Sequence, residues 1–231
     1  MNYKVTRALS ALRLAFLVML VAAAVIIGFG CADSEHEPKR MPTEESAAAV
    51  IFDILDSSAS DRPDLPTHVE ERGKLALAVD AGSTWLTAIR FDSEAQEIFS
   101  GPMPDSDEEL LAQLAPALAK YSPHDNTYIN LPFTCVADRA SHCSGRCVIV
   151  MSSDCYGEGM TRAMWEELNC AAQKLADNSH FVAVFIEGAN PANMARMRLG
   201  LAPLSKKLQF VSSGALDVNL IADLVRTGGV H

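Results

Sequence analysis

The sequence predicts an α/β fold: a doubly wound, mostly parallel sheet with helices on both faces. Three observations point there. Strand-like and helix-like segments alternate along the chain from residue 47 onwards. Two short uninterrupted apolar runs, Cys147 to Met151 (CVIVM) and Phe181 to Ile186 (FVAVFI), read as strands covered on both faces rather than half-exposed ones. Between them, GEGMTRAMWEELNCAAQKLAD has the length of a helix, so the two strands are joined by a crossover. At 231 residues the chain is long enough for one domain with a full core plus an extension, and too short for two large lobes.

The extension comes first. Lys4, Arg7 and Arg13 precede an uncharged apolar run from Leu14 to Phe29, which ends at Gly30-Cys31 and gives way to ADSEHEPKR. A basic start, an apolar middle and a small residue before the break describe an export signal. Because a cysteine follows the break, residues 1–31 resemble a bacterial lipoprotein signal, in which that cysteine, here Cys31, is acylated. The box Gly28-Phe29-Gly30-Cys31 lacks the usual leucine three residues before the cysteine, and an uncleaved anchor helix and a plainly cleaved, soluble product are the alternatives. All three place the body outside the cytoplasm, and the expectation is a membrane-anchored protein of the cell envelope. Residues 32–46 are polar, contain two prolines and read as a tether.

Without its first thirty residues the chain carries 16 Lys and Arg against 29 Asp and Glu, a net charge of −13. So acidic a body repels phosphate backbones and anionic lipid, which argues against nucleic acid as partner and leaves the N-terminal anchor as the membrane contact. Besides Cys31 there are five cysteines, Cys135, Cys143, Cys147, Cys155 and Cys170, and their pairing is open.

The domain is expected over residues 47–231. Ala47 to Leu55 (AAAVIFDIL) suits a central strand, with Asp53 as an interruption, and the prolines at 63 and 66 indicate loop after it. Thr67 can cap a helix from about His68 to Ala81, stopped by Gly82. Trp85 to Phe91 alternates as a strand does, and a short edge strand fits Glu97 to Ser100. Asp105 or Ser106 opens a helix that Pro116 must kink or divide, and Thr127 opens a shorter helix interrupted near Pro132. After CVIVM come the long helix starting near Met160 or Thr161, the strand FVAVFI, and a helix opened by Asn190-Pro191. The strand LQFVS and a last helix from about Ala215 to Arg226, stopped by Gly228-Gly229, complete the series.

The stretch with chemistry in it is Asp56-Ser57-Ser58-Ala59-Ser60, where the first strand empties into a loop. An acid followed by hydroxyls two and four residues later supplies oxygen donors. Mg²⁺ wants about six of these at about 2.1 Å, some of them water. In a doubly wound sheet, ligands bind beyond the C-terminal ends of the strands. Asp154, after the strand ending in Ser152-Ser153, is expected at the same rim.

Together these residues resemble the metal-ion-dependent adhesion site (MIDAS) of the von Willebrand factor type A domain. Asp56, Ser58 and Ser60 match the D-x-S-x-S loop, Thr127 matches the threonine of a later loop, and Asp154 matches the aspartate after the fourth strand. Their order and the gaps of 71 and 27 residues fit the family as well. The resemblance covers roughly residues 47 to 227. Two departures stand in it: Cys155 follows the last aspartate where the family usually has glycine, with Ser153 as an alternative aligned residue, and the strand-to-helix spacing after Asp56 is tight and holds two prolines.

What the resemblance implies is binding rather than catalysis. A Mg²⁺, with Mn²⁺ or Ca²⁺ as substitutes, is held by Asp56, Ser58, Ser60, Thr127 and Asp154, and an acidic group of a protein partner fills its open position. One alternative is a structural domain of the same fold that takes no metal. Another is an enzyme: Asp80-Ala81-Gly82-Ser83-Thr84 looks like the phosphate loop of the actin-like ATPases. That family, however, needs a second lobe, which about 150 further residues do not readily supply. Neither H-E-x-x-H nor G-x-S-x-G occurs.

Overall fold

The computed structural model describes residues 43–58, 64–119 and 126–228. The signal segment with Cys31, the tether up to residue 42, and Ser60 of the D-x-S-x-S loop lie outside the described residues. Six strands form one sheet in the order β3-β2-β1-β4-β5-β6. They are β1 (Ala49–Asp56), β2 (Thr84–Phe91), β3 (Ala95–Pro102), β4 (Arg146–Ser152), β5 (Phe181–Glu187) and β6 (Leu208–Val211). All neighbours run parallel except β2 and β3. This is the doubly wound sheet that the alternating pattern predicts.

The helices are α1 (Leu65–Ala78), α2 (Asp107–Ala119), α3 (Asn130–Ala140), α4 (Arg162–Asp177), α5 (Pro191–Gly200) and α6 (Val218–Thr227). Alternate residues of each strand feed two separate cores. Val50, Phe52 and Ile54 of β1 and Cys147, Ile149 and Met151 of β4 pack with α3, α4 and α5. Ala49 and Ile51, with Val148 and Val150, pack with α1, α2 and α6. The chain leaves β1 for β2 through α1 on one face and leaves β4 for β5 through α4 on the other. The β1–β4 junction is therefore where the winding reverses, and a crevice opens beyond the strand ends at that point.

Several boundaries differ from the sequence reading, each for a local reason. Helix α1 starts at Leu65, because Pro66 falls in the first turn, where its missing N–H costs nothing; Thr67 is inside the helix and is not its cap. It stops at Ala78, and Asp80, whose carboxylate accepts from the Gly82 amide (3.0 Å) and the Ser83 hydroxyl (2.7 Å), builds the turn into β2. Helix α3 begins only at Asn130 and runs unbroken, since Pro132 lies in its first turn, where amides have no intrahelical acceptor. Pro116 lies within α2 without dividing it. Thr161 caps α4 through the Met164 amide, and Asp217 caps α6 through the Leu220 amide. Edge strand β3 is longer than expected.

On the α1 face a polar cluster interrupts the core. Arg72, 2% exposed, donates Nε to Asp53 Oδ1 (2.7 Å) and Nη1 to Glu187 Oε2 (3.3 Å), and it also donates to Ser152. His68 Nδ1 lies 3.2 Å from Glu187 Oε2. Burial raises the Asp53 carboxyl even against the pull of Arg72. Burial also pushes Glu187 up, but His68, the neighbouring Glu71 carboxyl and Arg72 together hold it well below the usual carboxylate range.

Candidate functional site

Asp56 is the last residue of β1 and fully buried. Its position follows from parallel pairing on both sides: Asp56 is in register with Phe91 of β2, and Leu55 with Ser152 of β4. Beyond it the loop folds back on the sheet, where the Ser57 amide (2.9 Å) and hydroxyl (3.1 Å) both donate to the Phe91 carbonyl. The Ser58 amide donates to Asp56 Oδ1 at 2.9 Å, which makes an Asx turn and turns the Ser58 residue, 3% exposed, back into the rim.

The other wall comes from the end of β4. The Ser153 hydroxyl donates to Asp56 Oδ2 at 2.6 Å and accepts from the Cys155 amide at 2.9 Å. Asp154 is only partly buried. Its Oδ1 accepts from the Tyr156 amide at 2.8 Å, and its carbonyl accepts from Asn190 N and Asn193 Nδ2, each at 3.0 Å. The structure thus joins Asp56 to Ser58 and to Ser153, the alternative aligned residue, while the Asp154 carboxylate caps its own loop. Thr127 is buried just ahead of α3, and its amide donates to the Glu158 carbonyl at 3.0 Å, which ties the third segment to the loop after β4.

Cys155 carries a trace of the expected glycine. Its φ of 60° is the left-handed region that glycine favours, and among the described residues no other non-glycine side chain sits at positive φ. The turn geometry is kept although the residue is a cysteine, buried against the α3–α4 core.

The donor set suits a hard divalent cation. Asp56, Ser58, Thr127 and Asp154 offer only oxygen, and the Asp56 carboxylate is already oriented by an amide and a hydroxyl, one on each oxygen. By contrast, the Asp80 loop lies at the opposite end of the sheet, before β2. The cleft it shares with Arg146 and Arg226 is about 210 Å³, below the range of about 300–1,000 Å³ usual for small-molecule sites.

No family model matches this sequence, and no curated protein sequence does either. The fold has solved counterparts. A von Willebrand factor type A protein from Catenulispora acidiphila aligns with a TM-score of 0.51 at 15% identity, over 78% of this chain and 42% of that one. The domain has a von Willebrand factor type A-like fold. The PilB minor pilin of Streptococcus sanguinis aligns with a TM-score of 0.54 at 10% identity, over 80% of this chain and 62% of the pilin. Proximal thread matrix protein 1 of the mussel byssus, with a zinc-occupied MIDAS motif, aligns at 0.50 and 11% identity, over 80% of this chain and 48% of that one. The chain therefore spans less than two thirds of the length of each of these three proteins.

Two sets of residues escaped the sequence reading. Ser153 was visible only as an alternative to Asp154, because a shift of one residue at a strand end decides which side chain turns inward. The cluster of Asp53, His68, Glu71, Arg72 and Glu187 is drawn from three separate segments. Its one local sign is Asp53, an acid in the middle of the apolar run AVIFDIL.

Proposed function

We propose that this von Willebrand A-like domain is a binding module that captures an acidic group of a protein partner through a divalent cation, Mg²⁺ in the first instance. The observation that supports it best is the buried Asp56 carboxylate at the β1–β4 junction, bonded by the Ser58 amide and the Ser153 hydroxyl. Asp56, Ser58, Ser60, Thr127 and Asp154 would hold the ion. Bound there, it supplies a positive charge with an open coordination position for a carboxylate. The protein's own part is to keep oxygen donors in place at the rim. The MIDAS motif of the mussel protein is occupied by zinc, so Mn²⁺, Ca²⁺ and Zn²⁺ belong in the same titration.

The test uses the full chain in detergent. Mg²⁺ or Mn²⁺ raises the melting temperature of the wild type and leaves that of Asp56→Ala unchanged. Equal shifts in both, or none in the wild type, remove the reading and leave the fold as a metal-free scaffold.

The proposed setting is outside the cytoplasm, with acylated Cys31 as the anchor. Among the described residues no helix is long and apolar enough to cross a membrane. Incorporation of labelled palmitate that is lost in Cys31→Ser supports the lipid anchor, and unchanged membrane retention without label supports an anchor helix instead.

A further inference from the structure

We propose a second metal site, made of residues other than the Asp56 set, in which His68, Glu71 and Glu187 bind Zn²⁺ between α1 and the end of β5. One potential ligand atom from each of these residues lies within 4.8 Å of the other two. All three side chains are buried, with exposures of 0%, 4% and 0%. His68 and Glu71 stand three residues apart on α1, so they share one helix face, and that face meets the last residue of β5.

Two independent observations turn this meeting of side chains into a site. The first is orientation. Glu187 Oε1 accepts from the Gly214 amide (2.8 Å) and Glu71 Oε1 from the Leu216 amide (3.1 Å), so the loop between β6 and α6 fixes the outer oxygen of each carboxylate. Backbone bonds of this kind orient metal-binding carboxylates. The inner oxygen of Glu187 faces His68 Nδ1 at 3.2 Å, and Glu71 Oε2 has no donor among the described residues, its neighbour being the Glu187 carboxyl, which is itself an acceptor unless the two share a proton. A buried oxygen without a donor is costly. A cation removes that cost.

The second is charge. Asp53, Glu71 and Glu187 bring three carboxyl groups into a region whose one permanent cation among the described residues is Arg72, already bonded to Asp53 and Glu187. A divalent ion would balance the other two in their ionised forms. An imidazole with two carboxylates favours zinc over magnesium, which prefers oxygen alone.

The experiment is zinc binding to the full chain in detergent after chelation, read by metal analysis after equilibrium dialysis and by the visible spectrum of the Co²⁺ form. Three variants are compared with the wild type: Glu71→Gln, His68→Gln and Asp56→Asn. Glu71→Gln keeps the shape of the side chain and its acceptor for Leu216, and its circular dichroism is checked against wild type. The proposal expects one zinc that survives Asp56→Asn and whose Kd rises at least tenfold in Glu71→Gln. It also expects d–d bands of Co²⁺ bound by nitrogen and oxygen. Unchanged affinity in Glu71→Gln, loss confined to Asp56→Asn, or no zinc on the wild type overturns it. A thiolate-to-cobalt charge-transfer band also overturns it, because the ion then belongs to the cysteines. If His68→Gln does not fold, Glu71→Gln and the wild-type cobalt spectrum still decide the matter. The rim proposal stands or falls separately, on Asp56.

Discussion

Replacing Arg72 with methionine keeps most of the side-chain volume and removes the only permanent cation of the buried cluster among the described residues. Three groups lose a donor: Asp53 Oδ1, the Ser152 hydroxyl, and Glu187 Oε2, which keeps the Ser152 hydroxyl as donor; all are on residues with no exposed surface. Charged hydrogen bonds are worth about 1.5–3 kcal/mol each, so a simple sum would exceed the about 3–5 kcal/mol typical of breaking a buried ion pair from one side. The chain has an escape that limits the loss, namely protonation of Asp53. From an ordinary value of 3.8 this costs about 4.4 kcal/mol at pH 7 but only about 1.6 kcal/mol at pH 5, at about 1.36 kcal/mol per pH unit. The variant is therefore expected to lose about 3–5 kcal/mol at pH 7, a large part of a typical domain's stability, and roughly half of that or less at pH 5. Adding Asp53→Asn recovers most of the loss, since an amide needs no counter-charge. Urea unfolding of the full chain, followed by far-ultraviolet circular dichroism at both pH values with chelator present, measures all three. A loss below about 1 kcal/mol at pH 7, the size expected of an exposed pair, refutes the reasoning, as does a deficit that grows as the pH falls.

Other perturbations probe the neighbouring features. With metal chelated, burial and then the adjacent Glu187 carboxyl hold Glu71 up at about 7 instead of 4.5. The folded state thus binds this proton more tightly than the unfolded one, and stability falls as pH rises from about 4.5 to about 7. Glu187, held low, works in the opposite sense below about 4.5, where acid removes its contribution. Glu71→Gln flattens the upper window and keeps the sense of the lower one, which His68 and Arg72 still support, and a melting-temperature profile across pH 4 to 8 reads both. Gly145→Ala places a Cβ 2.1 Å from the Ala47 carbonyl oxygen and 2.6 Å from the Ala48 backbone, where no flexible side chain can yield. An overpacking loss of about 1–3 kcal/mol or more is expected, with the unfolding midpoint as the measure.

The alternation of strands and helices along the chain was legible because each buried run is short, apolar and bounded by turn chemistry, and because helical segments separate them. Helix starts were less so. The two prolines at 66 and 132 read as breakers, but both fall in first turns, and only the position of the following chain distinguishes those cases. Asp56 could be picked out because acid, hydroxyl and strand end are adjacent in sequence. Cys155 could be singled out as a departure, yet that it still adopts the left-handed turn is a property of the backbone that residue type alone does not reveal.

From the sequence by itself came the fold class, the acidic body and the placing of Asp56 at the end of a central strand, because these rest on local periodicity, composition and spacing. Tertiary structure alone decided that Ser153 rather than Asp154 hydrogen-bonds Asp56, and that His68, Glu71, Arg72, Asp53 and Glu187 meet inside the α1 face. The physical reason is the same in both cases. Contacts between residues as distant in sequence as Asp56 and Ser153, 97 positions apart, or Arg72 and Glu187, 115 apart, depend on strand register and helix rotation, and a shift of one residue in either sends a side chain to the opposite face.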